Sequence, residues 1–433
     1  MSKFEKKKIV ILGAGFGGLR AALDLGRSIT KLKLADRYEV ILVDQNAYHT
    51  YAPTLYEIAT TDENLASQLD LKRIVTIDVR KSIGWLPIEF IQSRVSEIDI
   101  AGGDIHFESG TRLQFNYLVL ALGSQANYFN IPGLADHSLP FKTVLDALRL
   151  RQRLLEEVED PGCPKLRIVV GGGGSTGVEL AAEVKLALSH MNRVASGQCG
   201  VDVTVIDGAA TILAPFGEAI IKRAQKRFAL LEIHTLTSAR ISALTEKEVQ
   251  IKDGAPVPYD IFIWTGGVAP NMLMSTLRMK KDPTGARPLT TSEMTCLPEG
   301  PDLRFYGPIY GIGDAVCFMD PKTSRPVPGV ARAAIVQGQV VAHNIIEQIK
   351  CDEKLSAAPK FRIYKPKQYP YVIPVGGKFA IARFGPVVFS GIFAWISKGL
   401  IEGRYLFSIL PFFSALNLWL KGLWIFLRND RLG

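Results

Sequence analysis

The sequence predicts an α/β protein made of two Rossmann-like dinucleotide-binding domains with β-meander insertions, followed by a C-terminal membrane-docking α+β segment. Three observations predict it. A glycine turn between an apolar strand and a helix occurs twice, at Gly13, Gly15 and Gly18 and again at Gly172, Gly174 and Gly177. After each turn the next strand ends on an acid, first Asp44 and then Asp207. The C-terminal part of the chain changes character and becomes rich in aliphatic and aromatic residues between basic flanks.

Bulk properties set the frame. A chain of 433 residues is too long for one ordinary core and calls for two or three domains. With 47% apolar and 21% charged residues and a mean hydropathy of +0.14, the composition is globular with a slight apolar bias. The net charge of +9 favours anionic partners, phosphate-bearing cofactors and anionic lipid among them. Apart from Lys6, Lys7 and Lys8 the basic residues are spread, and no zinc-finger spacing or basic–aromatic interleaving appears. That pattern excludes a reader of nucleic acid. Cys163, Cys199, Cys296, Cys317 and Cys351 form no C-x-x-C or C-x4-C pair, so neither a redox dithiol nor a metal site is indicated. They read as free thiols in a reducing compartment. The opening MSKFEKKKIVILGAG is basic and then apolar, but its apolar run is too short for a signal segment and reads as a first strand.

The elements follow in order. KIVILG at 8–13 is a β-branched run suited to a central parallel strand. The turn Gly13-Ala14-Gly15-Phe16-Gly17-Gly18 opens a helix, and Tyr38–Val43 is a second strand ending on Asp44. Strand, glycine turn, helix, strand and terminal acid form a βαβ fingerprint, with backbone N–H groups for a pyrophosphate and an acid for ribose hydroxyls. Asp44 falls 26 residues after Gly18, a little late, with Lys31–Arg37 as the insertion. The aromatic, proline-bearing loop at 45–61 then runs along the cofactor and places Gln45 and His49 beside it. His49 reads as structural rather than catalytic, because no nucleophile or metal partner lies in sequence reach. Short alternating strands at 84–115 form a β-meander, and Tyr117–Ser124 is a buried strand returning to the cofactor at Gly123.

A charged helix over 140–160, stopped by Pro161-Gly162, leads into IVVGGGGSTGVELAAEV at 168–184. Asp207 at the end of the next strand selects the free 2′-hydroxyl of NAD, since VIDGAATIL offers no Arg for a 2′-phosphate. The reading is NADH over NADPH. Ile261–Gly267 is another buried strand, ending in glycines, with Gly267 placed at the nucleotide. YGIGDA at 310–315 sets Gly313 and Asp314 at a turn where the acid can hydrogen-bond a polyol, and a helix follows over 329–348. The divisions expected are 1–135 with 270–355, then 136–269, then 356–433.

The last segment carries a hairpin-like KFAIARFGPVVFSG and then a helix through Arg404–Arg428. On one continuous helix Tyr405, Ile409, Phe412, Leu416, Trp419, Leu423 and Leu427 share a face. The longest uncharged stretch, 405–420, is shorter than the ~20 residues a bilayer crossing needs. Pro411 reads as a helix start. Trp395, Trp419, Trp424 and the basic flanks suit a membrane interface, so 391–433 reads as lying on lipid, with a homodimer interface as the other use of the same surface.

The order of these signals resembles the flavoprotein pyridine-nucleotide reductases with two dinucleotide domains, and in detail the type II NADH:quinone oxidoreductases, over nearly the whole chain. The resemblance implies FAD on Gly13, Gly15, Phe16, Gly17, Gly18 and Asp44, with Tyr48-His49 and Pro53-Thr54-Leu55-Tyr56 along the flavin. Gly123 ends the family's return strand, with Leu122 in place of its usual Thr, and Gly313-Asp314 match the second FAD motif. Gly172, Gly174, Gly177 and Asp207 would hold NADH, and Glu179 would sit by the nicotinamide as an orienting or proton-relaying group. A membrane quinone would accept the electrons, on a peripheral protein at the cytoplasmic face of the cell membrane or the equivalent organellar face. One departure matters: where the family carries Ala-Gln-x-x-x-Gln, this chain reads Ala331-Arg332-Ala333-Ala334-Ile335-Val336, and Gln337 comes one position late. Arg332 can still hydrogen-bond a quinone carbonyl, but the acceptor stays open. Two rival readings remain, a sulfide:quinone reductase-like flavoprotein and a membrane-docked NADH-binding redox sensor.

Overall fold

The computed structural model describes residues 5–61, 70–159, 165–194, 199–300 and 304–428. Two five-stranded, all-parallel sheets carry the molecule. The first runs Ile309–Gly311, Tyr117–Leu120, Lys7–Leu12, Tyr38–Asp44, Ile88–Gln92 in spatial order. The second runs Leu139–Pro140, Ile261–Trp264, Lys165–Gly171, Gly200–Ile206, Ile233–Leu236. Their central strands are continuous apolar runs because helices or meanders cover both faces. In each sheet the first strand of the fingerprint lies in the middle and its neighbours leave in opposite directions, which opens a crevice at its carboxyl end.

Antiparallel three-stranded meanders occur in both halves, over 95–114 and over 241–258. The halves are joined by a two-stranded ribbon, Ser124–Ala126 against Val268–Pro270. The first glycine helix, Phe16–Leu32, packs on the long helix Ala331–Asp352, the first turn of which starts later and whose end lies further on than the sequence reading of 329–348. Their contact is close because Gly17 faces the Ala334 carbonyl, where an added Cβ would lie 2.9 Å from the oxygen. Helix Val144–Glu159 begins four residues into the predicted 140–160 run, and Pro161, Gly162 and Cys163 lie outside the described residues.

The C-terminal part is a three-stranded antiparallel sheet, Tyr371–Pro374, Ala380–Phe384 and Val387–Gly391, followed by two helices, Ile392–Ile409 and Phe412–Arg428. The second helix begins just after Pro411, where a helix start was expected, so the common face laid out on one continuous helix over 404–428 does not form. Pro411 lacks the N–H and crowds the preceding turn, so the chain breaks at Leu410 and restarts at Phe412. The expected common face is split accordingly: Tyr405 and Ile409 are buried in the first sheet's core, whereas Phe412 is exposed. Trp395 is a second correction. It is only 8% exposed and packs on Ala380, Ala382 and Ala394 instead of facing outward. Trp419 likewise turns inward and donates its indole N–H to the Gly399 carbonyl at 2.8 Å, while Trp424 stays exposed. The most exposed apolar side chains of these two helices are Phe393, Leu400, Phe412 and Phe413, with Phe393 75% and Phe413 83% exposed. Among the described residues no helix is long and apolar enough to cross a membrane.

Candidate functional site

One cavity of about 2670 Å³ lies between the two sheets, lined by the first glycine turn, by parts of the second half and by the helix Ile392–Ile409. Near the second glycine turn it is lined by Ser175, Thr176 and Glu179, while Gly172, Gly174, Gly177 and Asp207 stand behind them, outside its lining. That is well above the ~300–1,000 Å³ of a single small-ligand pocket and leaves room for two large cofactors. The two glycine turns are built alike. Gly13 and Gly172 have φ of +109° and +110°, and a Cβ on either would strike backbone of the neighbouring strand end. A Cβ on Gly18 or Gly177 would collide with the carbonyl of Gly13 or Gly172, so helix and strand can approach only there. The middle glycines, Gly15 and Gly174, face open space, as does Gly123 at φ +68°. This is the cradle a pyrophosphate needs: a vacant approach to a helix N-terminus.

The acids match as well. Asp44 accepts from the Ala14 N–H at 2.7 Å and the Asn46 N–H at 2.8 Å, and Asp207 accepts from the Gly173 and Ala209 N–H groups. In both halves one carboxylate braces the glycine turn from the next strand. Burial pushes the Asp44 carboxyl up, against the hydrogen bonds that pull it down. Gln45 is held at the rim, its side-chain oxygen accepting from Arg94 at 2.9 Å.

His49 is a tether. It is fully buried, with Nδ1 2.9 Å from the Ala14 carbonyl and Nε2 2.8 Å from the Tyr405 hydroxyl. Burial lowers its pKa to about 4, so the ring is neutral. A carbonyl can only accept, so Nδ1 carries the proton and Tyr405 donates to Nε2. Phe16 stands edge-on to the His49 ring at 4.8 Å and also touches Tyr51 and Tyr405. The glycine turn, the 45–61 loop and the C-terminal helix are thus locked together.

Glu179 lies on the second glycine helix at the cavity wall, half-buried beside Tyr56, Lys398 and Glu183. Burial raises its carboxyl to about 8, against the pull of Lys398. Next to it is a cluster invisible in the sequence. Buried Lys398 bonds Glu57 at 2.9 Å and donates to the Tyr56 hydroxyl. Burial opposes the Lys398 charge, yet Glu57, Glu402 and Glu179 around it outweigh that and hold the ammonium above its ordinary range. Glu402, pressed by burial and by Glu57, rises to about 7. Glu183 serves structure: its carboxylate accepts the Gly377 N–H at 3.1 Å, while Arg227 clamps the carbonyls of Val375 and Gly376.

Several expected contacts fall elsewhere. Gly267 does not line the cavity; a Cβ there would meet the Phe129 ring, and its carbonyl accepts the Asn127 N–H. Its small size serves the ribbon between the halves. Gln337 is buried and accepts the Gly313 N–H at 2.8 Å, so it props the Gly313–Asp314 turn from behind instead of facing the large cavity. Asp314 lines the cavity and accepts from Ser124 at 2.6 Å. Arg332 is exposed in the first turn of the long helix, at the same cavity as Val336, Ile401, Arg404 and Ser408. Of the described cysteines, Cys199, Cys296, Cys317 and Cys351, none lines the cavity.

Comparison with known proteins agrees with this arrangement. A type II NADH:quinone oxidoreductase, Ndh of Mycobacterium tuberculosis, is 27% identical over 442 aligned residues, covering 96% of this chain and 88% of that protein. The fold matches NDH2 from Plasmodium falciparum in complex with NADH, at a TM-score of 0.80 and 18% identity, over 97% of this chain and 99% of that one. It also matches the sulfide:quinone oxidoreductase of Aquifex aeolicus, at a TM-score of 0.74 and 19% identity, over 94% of each chain. The model of one family covers residues 7–338, both glycine turns and both acids included, and the chain belongs to that family, the pyridine nucleotide-disulphide oxidoreductases.

Proposed function

We propose that this chain is a type II NADH:quinone oxidoreductase that binds FAD on the first glycine turn and NADH on the second. The observation that carries the reading is that two matched glycine turns, each braced by its own acid, flank one cavity. The first turn and Asp44 line it directly, the second helix reaches it through Ser175, Thr176 and Glu179, and the helix Ile392–Ile409 forms its far wall. The residues fit the flavin nucleotide: Gly15 and Gly123 leave open approaches, Asp44 and Asp314 line the cavity, and the volume suffices. A bound flavin supplies the chemistry the side chains lack, accepting a hydride and passing an electron pair onward.

The chain's own part is positioning, charge and proton supply. The glycine turns hold the phosphates and Asp207 takes the NADH ribose. Regions 1–135 and 270–355 would hold FAD and 136–269 would hold NADH, with the cavity between the two sheets as the space that would bring hydride donor and acceptor together. Glu179, protonated below about pH 8, holds a proton at that junction and can donate it or orient the nicotinamide amide. The Lys398–Glu57–Tyr56 cluster keeps an ammonium, paired with the Glu57 carboxylate, fixed within the same wall. Arg332, which lines the same cavity as Ile401, Arg404 and Ser408, is the residue assigned to the acceptor. Phe393, Leu400, Phe412 and Phe413 rest on the cytoplasmic leaflet or its organellar equivalent, from which the quinone enters.

The cysteines weigh against sulfide as donor, since none of the described ones lines the cavity and a sulfide oxidant needs a thiol beside the flavin. The sensor reading rests on Arg332 and Val336 alone. Steady-state oxidation of NADH by a short-chain quinone tests the proposal, run on the wild type and Asp207→Ala. The variant should keep its flavin and lose NADH affinity at least tenfold; loss of flavin with NADH affinity intact would show the two sites assigned backwards.

A further inference from the structure

We propose that Lys142 sets the redox poise of the bound flavin, reaching it from the second sheet while Ser124 and Asp314 hold its ammonium in place. The inference rests on the flavin assignment above. Along the carboxyl edge of the first sheet, Asp44, the Gly13–Gly18 turn, Gly123-Ser124 and Gly313-Asp314 end adjacent strands in that spatial order. A dinucleotide anchored at Asp44 and the glycine turn and laid along this edge would carry its other end toward Asp314 and the space between the sheets. Lys142 stands at that end.

It stands two residues past Leu139–Pro140, the edge strand of the second sheet, and its side chain lines the cavity. Lys142 Nζ donates to Ser124 Oγ at 2.9 Å and lies 3.9 Å from Asp314 Oδ2, and Ser124 Oγ donates to the same carboxylate oxygen at 2.6 Å. The backbone is held too. Asp146 accepts the N–H groups of Lys142 at 3.1 Å and Thr143 at 2.7 Å, while Thr143 Oγ1 accepts the Asp146 N–H at 3.2 Å, a reciprocal cap on helix Val144–Glu159. A surface lysine is ordinarily loose at its tip; this one is fixed at both ends, across the junction of the two halves, with 36% of its side chain open to the cavity.

The charge arithmetic gives the consequence. Hydride transfer breaks the C4–H bond of NADH, leaves NAD⁺, and delivers two electrons with one proton, so the acceptor gains one net negative charge. The Asp314 carboxylate by itself would disfavour that change. An ammonium paired to it at 3.9 Å cancels the carboxylate and favours the reduced state in a cavity from which water is displaced.

The test is an anaerobic reductive titration of the flavin-loaded full chain against a reference dye, with flavin affinity measured separately by fluorescence. In K142M the reduction equilibrium should move about tenfold toward the oxidised form, about 30 mV more negative for a two-electron couple. K142R should restore most of that shift. A residue that only clamps the two halves would lower flavin affinity and leave the potential unchanged, and an unchanged potential in flavin-bound K142M overturns the proposal. Should K142M fail to retain flavin, K142Q keeps a hydrogen bond to Ser124 without the charge, and an unchanged potential there overturns it equally. Failure of the wild type to bind flavin would instead sink the underlying FAD assignment.

Discussion

At the scale of single residues, two buried groups have pKa values moved in opposite directions, and each gives a measurable consequence. Glu179 is pushed up to about 8, so it is protonated through neutrality and releases its proton as the pH rises past 8. Glu179→Gln keeps the shape and removes the titration; its quinone-linked turnover should drop by about 10²-fold and lose the alkaline limb near pH 8. A variant that keeps that limb would remove Glu179 from the chemistry. His49 is held down at about 4, so between its ordinary value near 6.5 and pH 4 the unfolded chain binds the extra proton and the native state does not. Stability is therefore whole above pH 6.5 and falls as the pH drops through that window, by about 3 kcal/mol at its end. Tyr405→Phe leaves Nε2 of His49 buried without a donor and should cost about 1–3 kcal/mol in denaturant unfolding at pH 7.5. An unchanged midpoint would mean that water replaces the hydroxyl.

At the scale of elements, the C-terminal helix Ile392–Ile409 has two faces with different duties. One sends Lys398 and Tyr405 into the site, and the other exposes Phe393 and Leu400. Removing 391–433 would therefore damage the cavity as well as the anchor, and point changes are the cleaner probe. Phe393→Asp with Phe413→Asp should shift the protein from anionic vesicles to the supernatant while flavin content and oxidation of NADH by a water-soluble quinone stay intact. Unchanged vesicle binding would assign this face to a second copy of the chain, which sizing in solution would reveal. Both glycine turns and their acids were legible because every group involved lies within one βαβ unit. The Lys398 cluster was not, since Lys398 and Glu57 stand 341 positions apart and neither departs from an ordinary helix pattern. Strand-ending glycines look alike in sequence, so nothing separated Gly123, which faces open space, from Gly267, which faces Phe129. Trp395 misled for the same reason: an aromatic near basic residues has the same pattern whether it points to lipid or to three alanines.

At the scale of the whole molecule, the design is one strand–glycine turn–helix device used twice, on either side of a common cavity, with a third segment forming part of the cavity wall. The duplication was readable from Gly13, Gly15, Gly18 and Gly172, Gly174, Gly177; the convergence was not, because it depends on the ribbon Ser124–Ala126 with Val268–Pro270 that joins the halves. The acceptor end carries the greatest departure, with an exposed Arg332 where the family that the sequence resembles carries a glutamine, and Gln337 turned away to brace Gly313. Arg332→Gln should change the KM for quinone and leave the NADH half-reaction as it was. The most direct measurement separates the two half-reactions in one cuvette. Flavin-loaded protein, kept free of oxygen, should bleach on one equivalent of NADH and regain its colour at a catalytic rate when a short-chain quinone is added; a yellow protein that NADH fails to bleach, or one bleached by sulfide instead, would contradict it.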